Sequence, residues 1–239
     1  MKKALLQRLQ EARSAKTPAI LVTELSSGRQ NLVTAESDEG DLPLDAALLV
    51  TAREALRDDR SGVLEKAPDI FLQVFNPPLR LIIVGAVHIA QSLATLAKQV
   101  GYEVIIVDPR QAWASEARFP GLEIVDEWPD DAMRALAPDC RTAIASLSHD
   151  PKLDDPALEV VLRSEAFYIG ALGSRRTHAK RLERLRAEGF SEAELQRIHG
   201  PIGLNIGAKS PAEIAISILA EMTRVLRLPP AAETVAKAS

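Results

Sequence analysis

Cysteine is nearly absent from this chain: Cys140 is the only one in 239 residues. An intrachain disulfide is therefore excluded, and so is a multi-cysteine zinc or iron–sulfur site. Such sparing use of cysteine points to the reducing cytosol. Aromatic residues are scarce too, at 4%, which is too few for a surface that stacks nucleic-acid bases. Positive charge is not in excess, since 29 Lys and Arg face 33 Asp and Glu. A general nucleic-acid binder is usually basic, so nucleic acid is not an expected partner. No apolar run approaches the roughly 18 residues of a membrane span. The start, Met1-Lys2-Lys3-Ala4-Leu5-Leu6-Gln7-Arg8, breaks its apolar residues with charge before a signal-peptide core can form. The expectation is a soluble, cytoplasmic protein with no membrane partner. The histidines His88, His149, His178 and His199 form no H-E-x-x-H pattern, and G-x-S-x-G and Walker A loops are missing. No metal site is expected, and no residue is named as catalytic.

What remains is ordinary globular composition, 46% hydrophobic and 26% charged, with enough chain to bury a core unaided. Residues 1–76 read as a small α+β domain. Leu5, Leu6, Leu9 and Ala12 recur at helical spacing, and a second helix spans residues 44–57. Residues 19–23, 31–34 and 70–75 read as strands, and Glu36 to Asp41 as an acidic loop. Pro77 and Pro78 cannot sit inside a ladder, so the boundary is placed there. Residues 77–228 then alternate strand and helix. Leu81-Ile82-Ile83-Val84 is a continuous apolar run, as in a strand buried on both faces of a parallel sheet. Further strands are read at residues 103–108, 123–125, 142–147 and 167–172. The fold class is α/β, a Rossmann-like, doubly wound parallel sheet with a smaller N-terminal α+β domain. Ser191/Glu194 and Ser210/Glu213 read as capping boxes. Residues 229–239 read as a flexible tail.

Four segments have the residue types for binding. Gly85-Ala86-Val87-His88-Ile89-Ala90 joins a buried strand to a helix, the context of a dinucleotide fingerprint, and Asp108 ends the next strand. An acid there can accept from ribose hydroxyls. Val87 stands where the fingerprint has its middle glycine, so nucleotide binding and a turn that binds nothing both stay open. His88 reads as a packed or capping histidine. Ser148-His149-Asp150-Pro151-Lys152 follows the fourth strand of the sheet, at the edge where open α/β folds bind ligands. Its histidine, acid and lysine suit an anion or proton transfer, ahead of a plain turn in which Asp150 caps a helix. Gly170-Ala171-Leu172-Gly173-Ser174-Arg175-Arg176 opens a helix, where Ser174, Arg175 and Arg176 suit a phosphate. Lys180, Arg181 and Arg184 read as a solvated face. His199-Gly200-Pro201-Ile202-Gly203-Leu204-Asn205-Ile206-Gly207 is an apolar, Gly-rich loop, either a close backbone approach to a ligand or a connector.

Taken together, Gly85 to His88, Val107-Asp108-Pro109-Arg110, Ser148 to Asp154, Gly170 to Arg176 and His199 to Gly207 resemble the xanthine dehydrogenase accessory factor family, XdhC/CoxI. The resemblance runs from about Leu79 to Leu226. It implies a cytoplasmic maturation factor, a cofactor-insertion chaperone in place of a turnover enzyme. Such a factor binds molybdenum cofactor, as molybdopterin or its dinucleotide form, assists its sulfuration and delivers it to a molybdenum hydroxylase of the xanthine or carbon monoxide dehydrogenase type. The target enzyme is the implied partner, with a cysteine desulfurase and a second copy of the chain as further ones. The cofactor-binding set would comprise Gly85, Ala86, His88, Asp108, Arg110, His149, Asp150, Gly173, Ser174, Arg175 and Arg176. The family's N-terminal S-G-G-C-x-E type of segment has no counterpart between Ser37 and Leu44, and Cys140 does not match it. Two other classes remain in play: an NAD(P)-dependent oxidoreductase, against which Val87 argues, and a scaffold that binds only the target enzyme.

Overall fold

The computed structural model describes residues 2–228, and the tail read from Pro229 onward lies outside them. The chain divides into two compact units, one up to Pro77 and one from Pro78.

In the first unit, helix α1 (Lys3–Ser14) precedes strands β1 (Ala19–Glu24), β2 (Gln30–Val33) and β3 (Asp38–Gly40). Helix α2 (Ala46–Arg57), β4 (Gly62–Leu64) and β5 (Ala67–Phe75) complete it. The strands form an antiparallel sheet in the order β3-β2-β1-β5-β4. Alternation along β1 splits its side chains between two layers. Ile20 and Val22 pack with Ala52 and Leu56 of α2, while Ala19 and Leu21 pack with Leu5 and Leu9 of α1. Asp45 caps α2 by accepting from Leu48 N–H at 2.7 Å. The segment read as an acidic loop contains β3, a correction to the sequence reading. Asp38, Glu39 and Gly40 are all exposed, and their place in the sheet comes from backbone pairing with β2.

The second unit opens with β6 (Leu79–Val84), α3 (His88–Gln99), β7 (Tyr102–Val107), β8 (Glu123–Val125) and α4 (Pro129–Leu136). It continues with β9 (Thr142–Ser146), α5 (Pro151–Val161), β10 (Tyr168–Ala171) and α6 (Arg175–Ala187), then α7 (Glu192–Leu195), β11 (Ile198–His199) and α8 (Pro211–Arg227). The parallel sheet has the order β11-β10-β9-β6-β7-β8. The apolar run in β6 is buried on both faces, as its sequence requires. Leu81 and Ile83 pack beneath α3 and α8, with Leu93, Ala97, Ile218 and Met222. Ile82 and Val84 pack on the other side with Met133 of α4 and Leu158 of α5. Both capping boxes form, at Ser191/Glu194 and at Ser210/Glu213.

This order fixes where a ligand can enter. From β6 the chain steps to β7 and β8 on one side, then returns to β9 on the other. The carboxyl ends of β6 and β9 therefore flank the topological switch point, where open α/β sheets bind ligands.

Candidate functional site

Gly85 closes the base of the switch point. Its φ is +101°, and a Cβ there would lie 2.7 Å from Ser148 N and 2.8 Å from Ser148 Cα. Glycine is thus required twice over, by conformation and by the close approach of the next loop. Val87 is the N-cap of α3 with extended backbone and no side-chain cap. His88, the first residue of α3, is exposed rather than packed, which corrects its sequence reading.

Asp108 is fully buried, and its carboxylate is already engaged. Ala86 N–H donates to Oδ2 at 2.8 Å. Arg110 donates its backbone N–H at 3.0 Å and its Nε at 2.8 Å to Oδ1, and its Nη2 at 2.7 Å to Oδ2. Burial on its own raises the Asp108 pKa. The Arg110 fork and the two amides outweigh it and hold the carboxyl below its ordinary value. The geometry makes Asp108 the brace of the Gly85–Val87 turn. Arg118, which sequence reasoning passed over, supports the same turn by donating to Ala86 O at 2.8 Å. Arg110 and Arg118 both lie 5.5 Å from the centre of the half-exposed Trp113 ring.

The loop after β9 carries His149 in left-handed backbone, with φ +63°. A non-glycine residue in that region is uncommon and costs strain. His149 is exposed, and Asp150 caps α5 by accepting from Lys152 N–H at 3.0 Å. Beneath them lies a buried network that the sequence did not announce. Ser146 Oγ and Ser148 Oγ each donate to Asp154 Oδ1 at 2.6 Å, and Arg181 Nη2 lies 3.6 Å from Asp154 Oδ2. The charge pattern of α6 alone puts Arg181 on a solvated face. It is instead 2% exposed and anchored to Leu172 O at 2.9 Å.

Ser174 caps α6 by accepting from Thr177 N–H at 3.1 Å, which places Arg175 and Arg176 in its first turn. Both arginines are exposed. Gly173 precedes this cap with φ +140°. The loop from His199 is held to α8, where Gly203 N–H and Tyr168 OH donate to the buried Glu221 at 2.8 and 2.7 Å. That arrangement is a connector braced by side chains.

A hollow of about 540 Å³ lies in the first unit. Its cations are paired, Lys2 with Asp41 at 2.8 Å and Arg8 with Glu11 and Glu39. In the second unit a hollow beside α6 is lined by four cations, Arg176, Lys180, Arg181 and Arg184, together with His149, so that sheet edge is the better candidate for an anion. Among the described residues, no group of three or more His, Cys, Asp and Glu gathers to hold a metal. No helix there is long and apolar enough to cross a membrane.

Residues 81–222 match the XdhC Rossmann domain. The chain belongs to the XdhC family. Its curated relatives include the molybdenum cofactor insertion chaperone PaoD of Escherichia coli, 34% identical over 151 residues, covering 63% of this chain and 41% of PaoD. A Bacillus subtilis protein, named as a probable component of xanthine dehydrogenase, is 30% identical over 159 residues, covering 66% of this chain and 46% of that protein. The XdhC-family chain therefore spans less than half the length of these relatives. Among solved structures it resembles a xanthine dehydrogenase from Bacillus halodurans, with a TM-score of 0.72 and 25% identity, covering 97% of this chain and 66% of that one. Every segment considered at the sheet edge, from Gly85 to Arg181, lies inside the matched XdhC region.

Proposed function

We propose that this XdhC-family chain binds molybdenum cofactor and acts as an insertion and maturation chaperone for a molybdenum hydroxylase of the xanthine or carbon monoxide dehydrogenase type. The observation that carries the reading is the donor set at the carboxyl edge of the sheet. Arg175 and Arg176 stand exposed in the first turn of a 13-residue helix, and Arg176 lines one hollow together with the strained, exposed His149. A helix N-terminus and guanidinium groups are what a phosphate-bearing pterin needs. A relative of this chain carries the name of a molybdenum cofactor insertion chaperone.

In this role His149, Ser174, Arg175 and Arg176 hold the anionic part of the cofactor. Gly85 and Ala86 shape the wall of the crevice, Gly173 opens the turn into α6, and His88 borders the entrance. Asp108, Arg110 and Asp150 act indirectly, by bracing the loops on either side. The bound group would supply its molybdenum chemistry to the acceptor enzyme. The chain's own residues bind it and orient it. The target enzyme is the partner this requires, with a cysteine desulfurase for the sulfuration step. An NAD(P) oxidoreductase would need Asp108 for ribose, and that carboxylate is committed to Ala86 and Arg110.

The test is retention of molybdopterin by the purified chain, read by fluorescence of the oxidised pterin after gel filtration. Arg175→Gln with Arg176→Gln is expected to weaken retention at least tenfold, since a hydrogen bond to a charged group contributes about 1.5–3 kcal/mol. Full retention in that variant overturns the placement.

A further inference from the structure

We infer that the hollow between α5 and α6 is a subsite for a phosphate or pyrophosphate group, built around the buried guanidinium of Arg181. The hollow has a volume of about 240 Å³. Ligand pockets for drug-sized molecules run to roughly 300–1,000 Å³, so this one suits a phosphate or pyrophosphate group and not a whole dinucleotide.

Three features distinguish it from an ordinary charged surface. The first is Arg181 itself. It is 2% exposed, and although Nη2 donates to Leu172 O, its Nε and Nη1 are buried without any hydrogen-bond partner. A buried charged group with unmet donors carries a desolvation cost that a bound anion would remove. The second is charge balance along the hollow. It is lined by Arg176, Lys180, Arg181 and Arg184. Asp155 holds Arg184 through its Nη2 at 3.0 Å, and Asp154 faces Arg181. Arg176 and Lys180 are exposed on the same hollow, and neither forms an ion pair among the described residues. Of the four cations two face acids and two form no ion pair, which leaves the hollow positive and suited to an anion. The third is position. The hollow includes His149, so it opens from the same carboxyl edge as the rest of the candidate site.

If Arg181 were only a structural clamp for Asp154 and Leu172, nothing would require Arg176 and Lys180 to share its hollow unpaired. The subsite stands on this geometry for any phosphoester. That the phosphoester belongs to the molybdenum cofactor rests on the proposed function.

The test is calorimetric titration of the full chain with inorganic pyrophosphate and, separately, inorganic phosphate. Saturable binding is expected, weakening as salt rises. Arg176→Gln with Lys180→Gln alters only exposed side chains and is expected to reduce affinity about tenfold or more. Arg181→Lys keeps the charge facing Asp154 but loses the planar fork, and should weaken binding similarly if circular dichroism shows it folded. Absence of binding to both anions in the millimolar range overturns the inference. So does unchanged affinity in the Arg176/Lys180 variant, which decides the matter even if Arg181→Lys fails to fold. Molybdopterin retention is measured in parallel. Pyrophosphate binding without molybdopterin retention supports the subsite and refutes the proposed function. Molybdopterin retention without pyrophosphate binding does the reverse.

Discussion

Replacing Gly85 by alanine tests the packing that closes the base of the switch point. Two costs add. At φ +101° an alanine adopts backbone that L-residues avoid, at about 1–2 kcal/mol. Its Cβ would also meet Ser148 N, Cα and Cβ between 2.7 and 2.9 Å, mostly backbone that cannot swing aside. Overpacking of that kind costs about 1–3 kcal/mol, so the sum is roughly 2–5 kcal/mol. Gly101 supplies the control. Its φ is +93°, but a Cβ there would meet nothing within 4 Å. Gly101→Ala should therefore carry only the conformational part, about 1–2 kcal/mol. Urea unfolding followed by tryptophan fluorescence reads the relevant unit, because Trp113 and Trp128 are the only tryptophans and both lie beyond Pro78. Gly85→Ala is expected to be less stable than Gly101→Ala by about 1–3 kcal/mol. Equal stabilities within about 0.5 kcal/mol would refute the argument from close approach.

Asp108→Asn leaves Arg110 without its carboxylate and should cost about 2–4 kcal/mol. Because the folded pKa of Asp108 is depressed, its stabilisation is complete above the unfolded carboxylate value near 3.9 and is lost as pH falls through the folded value. Urea midpoints measured between about pH 5 and pH 2.5 should thus fall less steeply in the asparagine variant than in the parent. His178 is held below its ordinary pKa by burial and then by the Arg181 charge. Its neutral form favours folding, so stability should decline as pH drops below about 6.5, and an NMR titration midpoint at or above that value would contradict the burial argument. Tyr168→Phe removes the 2.7 Å bond to Glu221 but leaves Gly203 N–H on the same oxygen. A loss of about 1 kcal/mol in urea unfolding is expected, and no measurable loss would show that the bond to Glu221 adds nothing.

The parallel sheet was legible because its strands are written as unbroken apolar runs, Leu81 to Val84 and Val104 to Val107, with glycine and capping boxes marking where helices stop and start. β3 was not legible. Asp38, Glu39 and Gly40 bury nothing, so hydrophobic pattern has no hold on a strand joined by backbone hydrogen bonds alone. At the site, residue types were readable but partners were not. Asp108 at the end of a strand looked free to receive ribose, whereas Arg110, two residues on, closes both of its oxygens. Arg181 was hidden among the six Lys and Arg residues between Arg175 and Arg186. One signal was present, because Arg181 and Leu185 are four apart and share the inward face of α6. Its other partner, Asp154, lies on a different helix, and only the packing of α5 against α6 brings the two together.

The most direct measurement is the molybdopterin content of the full chain, purified after exposure to the cofactor and assayed beside an apo molybdenum hydroxylase. Retention in stoichiometric amount, followed by transfer that activates the apo enzyme, is the expected result. A chain that leaves gel filtration free of pterin, with no effect on the apo enzyme, contradicts the role of cofactor chaperone.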